Sequence, residues 1–235
     1  MPEILLNGRA VSYAVRHSPR ARRASIRIGA AGVEVVLPLP IPQARAVELL
    51  RAHTDWVLRM VDGVARKAEQ RPYLPPGTLL YLGRPYRAER APLGTHWTLV
   101  PITAPGEQAG EAQHIPHDGP HAVPKWLCDR MVERLNERVA ARGREMNLAP
   151  RRIGVRNQRR RWGSCSGHGA LSFNWRLIMA PPEVLDYVVV HELAHLAHPN
   201  HSRAFWDLVR RHYPDAARER RWLKEHGWLM ERDVP

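Results

Sequence analysis

Cysteine is scarce in this chain. Its 235 residues hold two, Cys128 and Cys165. They lie far apart, so no disulfide framework is indicated, and a reducing cytoplasm is the expected home. Long apolar runs are missing too: none approaches the ~20 residues a membrane-spanning helix needs, so no membrane is expected as a partner. The N-terminal stretch scatters arginines from Arg9 to Arg27 instead of placing charge before an apolar run, so it does not read as a secretory signal. Lysine is nearly absent, with Lys67, Lys125 and Lys224 the only ones. No phosphate-cradling Gly-rich loop, nucleic-acid-reading motif or internal repeat is present.

What is present is arginine. The formal charge is +13, and a basic surface attracts nucleic acid, nucleotides or acidic proteins. Arg156, Arg159, Arg160 and Arg161 form one cluster, and Arg218, Arg220 and Arg221 another. Without a base-reading motif, any nucleic-acid or nucleotide binding is expected to be non-specific.

The hydrophobic pattern divides the chain into two modules. Residues 3–37 read as short strands, including Ser25-Ile26-Arg27-Ile28 and Val33 to Leu37 around a turn bracketed by Gly29 and Gly32. Residues 42–68 read as one long amphipathic helix with Ala46, Leu49, Leu50, Trp56 and Val57 near helical spacing. Strands follow at Leu79–Leu82 and Tyr86–Ala88. Residues 102–124, rich in Pro, Gly and His, read as a loop; His114, His117 and His121 there are poorly placed for catalysis. A second long helix is expected from Pro124 to about Asn147, striped by Leu127, Met131, Leu135 and Val139. Ile153-Gly154-Val155 reads as a strand. Arg161–Cys165 and Ala170–Ile178 read as a hairpin around Gly167-His168-Gly169. The expected fold is α+β: a β-rich N-terminal module with a long helix over 1–118, then an α+β module over 119–235 whose helix with His191-Glu192-Leu193-Ala194-His195 makes it zincin-like and catalytic.

That second module carries the chemistry. His191-Glu192-Leu193-Ala194-His195 is an H-E-x-x-H motif, and His201 stands ten residues after its first histidine. Residues four apart share a helix face, so the imidazoles of His191 and His195 reach one ion. Glu192 lies beside them without being a ligand. Zinc hydrolysis needs this set: three protein ligands, an open position for water and an adjacent base. The approach Val184-Leu185-Asp186-Tyr187-Val188-Val189-Val190 is strongly apolar, and burying two His and a Glu without a partner is costly. Pro181 and Pro182 suit a first helical turn, and Pro199-Asn200 ends the helix.

His198 is the rival third ligand on the same face. However, its seven-residue offset from His191 is a rise of about 10 Å, too far to share an ion. His201, beyond the helix break and before a Ser202 cap, is favoured. Glu219 and Glu225 read as solvated positions on an Arg-rich C-terminal helix. Cys165 reads as a small buried hairpin residue rather than a further ligand.

The blocks Arg161-Trp162-Gly163-Ser164-Cys165-Ser166, Leu171 to Ile178, Ala180-Pro181, Val188 to Leu196 and Asn200 to Trp206 together resemble the YgjP-like metallopeptidases, which are related to the SprT-like metallopeptidases. The likeness is firm over about 120–235 and looser before it. It implies a hydrolase with one zinc ion per chain held by His191, His195 and His201, Glu192 as the catalytic acid–base, and a peptide or protein substrate. The same His spacing occurs in metzincins, but a Gly stands there where this chain has His198.

The expected reaction is peptide hydrolysis by a zinc-activated water, with Glu192 as general base. Arg176, Tyr187, Asn174 and His198 are candidates to steady the oxyanion. The strand around Leu171–Arg176 is a candidate sheet edge for an extended peptide. The alternatives are a metal-dependent nucleoside triphosphate pyrophosphatase and a DNA-associated protease.

Overall fold

The computed structural model describes residues 1–29, 31–69, 75, 77–91, 96–103, 110–117, 119–158, 161–232 and 234, with the backbone alone at 67 and 68. The chain forms two compact units, Met1–Tyr73 and Leu74–Pro235.

The first unit is a four-stranded sheet with two helices. The strands are β1 (Glu3–Leu6), β2 (Arg9–Ser18), β3 (Ser25–Gly29) and β4 (Gly32–Pro38), in the order β1-β2-β4-β3. β2 and β4 run parallel, and the other pairs are antiparallel. Asn7-Gly8 joins β1 to β2 with φ of 48° and 79°, the left-handed pair that a two-residue hairpin turn requires. Alternating residues of one face, Ile4, Leu6, Val11, Tyr13, Val33, Val35 and Leu37, are buried with Ala46, Leu50 and Val57 of the helices. The long helix expected over 42–68 is two: α1 (Ala44–Ala52) and α2 (Thr54–Glu69). The chain leaves helical geometry at His53, where φ is −119° and ψ 27°, and the Thr54 hydroxyl donates to the Arg51 carbonyl (2.9 Å). Apolar periodicity runs through such a break without showing it.

Among its described residues, the second unit holds two sheets and four α-helices. β5 (Thr78–Tyr81), β6 (Arg84–Arg90), β7 (Trp97–Pro101) and β8 (Gln113–Ile115) form an antiparallel meander. Sequence reading placed these residues with the N-terminal module. Their buried side chains, Leu79, Leu80, Tyr86, Leu99 and Ile115, instead join the core built around the later helices. Part of the expected 102–124 loop is therefore strand β8, and His121 stands at the N-terminus of a helix. Residues 104–109 and 118 of that loop lie outside the described residues.

α3 (Ala122–Met146) buries Leu127, Met131, Leu135 and Val139 as its spacing predicts, and Asn147 closes it in the left-handed conformation. β9 (Arg152–Arg156), β10 (Gly163–Cys165) and β11 (Ala170–Asn174) form a three-stranded sheet in the order β10-β11-β9. The second arm of the expected 161–178 hairpin is shorter than read. Asn174 caps a 3₁₀ turn over Trp175–Met179, its side chain accepting the Arg176 amide. This turn receives the β5–β6 bend: the Leu82 and Gly83 amides donate to the Ile178 and Met179 carbonyls (both 3.0 Å). Gly83 has a φ of 79°. A Cβ there would lie 2.8 Å from Pro181, so glycine is required twice over.

α4 (Pro182–Ala197) runs through the middle of this core, followed by α5 (Arg203–His212) and α6 (Ala216–Met230). Val184, Leu185, Val188, Val189, Val190, Leu193 and Ala194 are all buried. Each fully buried Val or Leu contributes about 1.5–3 kcal/mol, so packing holds this β-branched helix against its modest intrinsic propensity. Among the described residues, no helix is long and apolar enough to cross a membrane.

Candidate metal centre

The site is built at the C-terminal end of α4. Pro182 opens the helix, and His198 leaves helical geometry at its end with φ −133° and ψ 100°. The chain turns through Pro199 and Asn200, and α5 begins after Ser202, whose hydroxyl accepts the Phe205 amide (3.3 Å). This turn brings His201 back to the helix. His191, His195 and His201 each offer a nitrogen, all within 4.8 Å of one another. The Nε2 atoms of His191 and His201 are 3.1 Å apart. His198 is not in this cluster; its carbonyl lies 3.1 Å from His195 Nδ1.

The remaining ring atoms are occupied in a way that suits a metal. His195 Nδ1–H donates to the His198 carbonyl, and Tyr187 Oη lies 3.4 Å from His191 Nδ1. The carbonyl partner fixes the His195 tautomer and leaves its Nε2 with a lone pair, and the Tyr187 hydroxyl holds the orientation of the His191 ring. Burial pushes His191 down to about 3, helped by His195, His201 and Arg220. Burial also lowers His195. Neutral imidazole is the form that ligates. Phe205, fully buried, touches all three rings: it stacks on His195 with centroids 4.5 Å apart and meets His191 and His201 edge-on at 4.9 and 4.8 Å. Trp206 stacks on His201 at 5.7 Å, and Arg220 lies over Trp206 at 4.7 Å. Nothing in the sequence pattern connected Phe205 with the histidines.

Glu192 is 5% exposed. Burial pushes its carboxyl up to about 7, against the opposing field of Arg161. Its Oε2 has no hydrogen-bond partner among the described residues. A buried polar atom without a partner costs about 1–3 kcal/mol, and such an atom in a cleft marks a place for a reacting group. The carboxyl lies against the backbone of β10. A Cβ on Gly163 would stand 2.5 Å from Glu192 Oε1 and 2.6 Å from its Cγ. Only glycine leaves room for the carboxylate there. The neighbouring Trp162 is held similarly close by α6, where a Cβ on Gly227 would stand 3.0 Å from its Cζ2.

A cleft of about 520 Å³ runs along this arrangement, lined by the three histidines, Glu192, Leu196, Pro199, Arg161 and the small residues from Gly163 to Gly167. Among the described residues, the sheet edge beside it is β10, which pairs with β11 alone. β11, which includes Leu171–Asn174, is the central strand and is hydrogen-bonded on both sides. The edge expected at Leu171–Arg176 is therefore corrected to Gly163–Cys165.

None of the four oxyanion candidates lines the cleft. Asn174 is buried and donates to the Gln158 and Arg161 carbonyls (2.7 and 3.4 Å). Arg176 donates to Asn157 (2.5 Å) and stacks on Trp175. Tyr187 is buried against His191. Cys165 lines the cleft but does not join the nitrogen cluster. Glu225 is exposed, whereas Glu219 is buried and pairs with Arg218 at 3.6 Å. Of the first arginine cluster, Arg159 and Arg160 lie outside the described residues.

A YgjP-like family profile, described as a metallopeptidase domain, matches residues 22–226. The match spans most of the chain, and the chain belongs to this family. A metallopeptidase works through a metal ion on peptide or protein substrates. The crystal structure of the metallopeptidase zymogen of Pyrococcus abyssi abylysin is similar over 40% of this chain and 95% of its own, with 20% identity and a TM-score of 0.36. No curated protein matches the chain.

Proposed function

We propose that this protein is a zinc-dependent peptidase in which His191, His195 and His201 hold one zinc ion and Glu192 is the general base. The observation that carries the reading is the convergence of three imidazoles beside a buried carboxyl group with an oxygen that has no partner among the described residues. The donor set fits zinc: imidazole suits it, and three protein ligands leave a position open. When bound, the ion supplies Lewis acidity, polarising the scissile carbonyl and acidifying water.

The chain's own residues do the rest. Glu192, raised towards neutrality by burial, accepts a proton from the attacking water and later delivers it to the leaving amine. A base is most effective when its pKa lies near the working pH. Gly163 lets that carboxylate sit against β10. A peptide lying along β10 would pair its backbone with the free edge, and the small side chains of Ser164, Cys165 and Ser166 permit close approach.

The triphosphate reading draws no comparable support. Binding three phosphates calls for several cations, and Arg161 is the one arginine lining the cleft among the described residues. The test is turnover of an unfolded protein and of nucleoside triphosphates by the purified protein, with a chelator and after zinc is restored. Chelator-sensitive proteolysis that zinc rescues is expected. Triphosphate hydrolysis without proteolysis would replace this reading.

A further inference from the structure

The cleft is asymmetric in charge. Among the described residues lining it, Arg161 is the one permanent cation and Glu192 the one carboxylate. Glu192 is buried, whereas Arg161 is exposed. Arg161 has no side-chain hydrogen bond or ion pair among the described residues. Arg138 and Arg142 bond a carboxylate within the protein, and Arg176 bonds Asn157. The guanidinium of Arg161 acts on Glu192 through its field, but its hydrogen-bonding capacity is not taken up by a carboxylate among the described residues.

Its backbone, by contrast, is anchored. Asn174 Nδ2 donates to the Arg161 carbonyl (3.4 Å), and the Asn174 amide donates to the Trp162 carbonyl (2.8 Å). Trp162 is in turn packed against Gly227. The residue therefore projects a free fork from a fixed root, two positions before the glycine that faces Glu192. Guanidinium is the side chain best matched to a carboxylate, which it can grip with two parallel hydrogen bonds. From Gly163 to Gly167 the adjoining wall has only small side chains, which leaves room for a substrate side chain.

We infer that Arg161 is a specificity determinant that favours peptides presenting a carboxylate close to the scissile bond. The inference rests on the peptidase reading and adds the substrate class. The carboxylate can come from an acidic side chain or from the peptide's own C-terminus.

Two paired comparisons separate these sources. End-blocked peptides carry Glu or Gln beside the cleaved bond, and a second pair has a free or an amidated C-terminus. For whichever source is used, the carboxylate peptide should be favoured in kcat/KM by about tenfold, the lower end expected for a charge-assisted hydrogen bond in an open cleft. Arg161→Ala should bring that ratio to about one, and Arg161→Glu should invert it. Affinity for the same pairs is measured on the Glu192→Gln protein with and without Arg161→Ala, so that substrate is retained. A ratio near one for both pairs in the wild type overturns the inference, as does a ratio that survives both Arg161 substitutions. If the wild type cleaves none of these peptides, the peptidase reading falls, and equal affinity for the carboxylate and neutral members then overturns the role of Arg161 as well.

Discussion

The two ends of α4 treat a buried carboxylate in opposite ways. Asp186, near the start, is 3% exposed. It accepts from Arg138 Nε (2.9 Å), from Arg142 Nε (3.0 Å) and from Arg142 Nη2. Burial alone would raise its pKa, but the two arginines prevail and hold it below the usual carboxylate range. Glu192, six residues later, is buried almost as deeply and has an oxygen with no partner among the described residues. The first end is stabilised by its charges. The second keeps a cost that folding alone does not repay, as is expected where a group must exchange a proton. The helix is thus a fastened rod with a poised tip.

The strongest way to break this comparison is Glu192→Gln. Loss of a positioned general base lowers turnover by about 100- to 10,000-fold. The amide keeps the shape, so metal content and melting temperature should hold or rise. Near wild-type turnover on a cleaved substrate would remove Glu192 from the mechanism.

Gly163→Ala attacks the same tip from the opposite wall. The new methyl occupies the space of the Glu192 carboxyl, and a misplacement of about 1 Å can cost about a hundredfold in rate. Metal content should stay near wild type, because no histidine is touched. Kinetics beside metal analysis on one preparation checks both halves; unchanged kcat would mean that the carboxylate does not need this seat.

Asp186→Asn tests the fastened end. It should leave the chemistry intact and cost about 2–3 kcal/mol of stability, the scale of hydrogen bonds to a charged group, discounted because Arg138 is half exposed. The folded pKa of Asp186 lies below its unfolded value. Its contribution is therefore whole above about pH 4 and fades as the pH falls through the native pKa. Urea midpoints at neutral pH and near pH 3 should show the variant losing less on acidification than the wild type. An equal loss in both would place the acid sensitivity elsewhere.

Tyr187→Phe is the mildest change, and it lies between the two ends. Losing the hydroxyl beside His191 Nδ1 should weaken metal binding by about tenfold, the low end for a partner of a ligating histidine. Competition with a calibrated chelator reads this directly; unchanged affinity would mean that the 3.4 Å contact does no orienting.

Much of the rod was legible in sequence. The caps at Pro182 and Ser202 and the apolar run of α4 are local signals. So is the arithmetic that separates His198 from His201, because rise per residue and a helix-breaking proline suffice. What escaped depends on contacts between residues far apart in the chain. Gly163 meets Glu192 across 29 positions, from 163 to 192, and nothing in the Trp-Gly-Ser-Cys run announces it. Arg161 was read as part of a charge cluster, because sequence does not say which arginine of a run faces a cleft. The central position of β11 follows from its parallel pairing with β9, which no hairpin pattern reveals. The assignment of β5–β8 to the second unit is set by which core their alternate residues join, and periodicity gives the face but not its neighbour.

Phe205 has a consequence of its own. In many small metal domains the ion organises its ligands, and its binding energy is consumed in folding the chain. Here a hydrocarbon ring with nothing to donate or accept props all three imidazoles at similar spacing, and backbone and hydroxyl partners set two of their orientations. If these histidines hold an ion as proposed, this packing would share the work of ordering them, so that less of the ion's binding energy would go into folding and more would appear as affinity. Removing the ion should then abolish activity without unfolding the chain, and supply of the ion, not refolding, would govern its return.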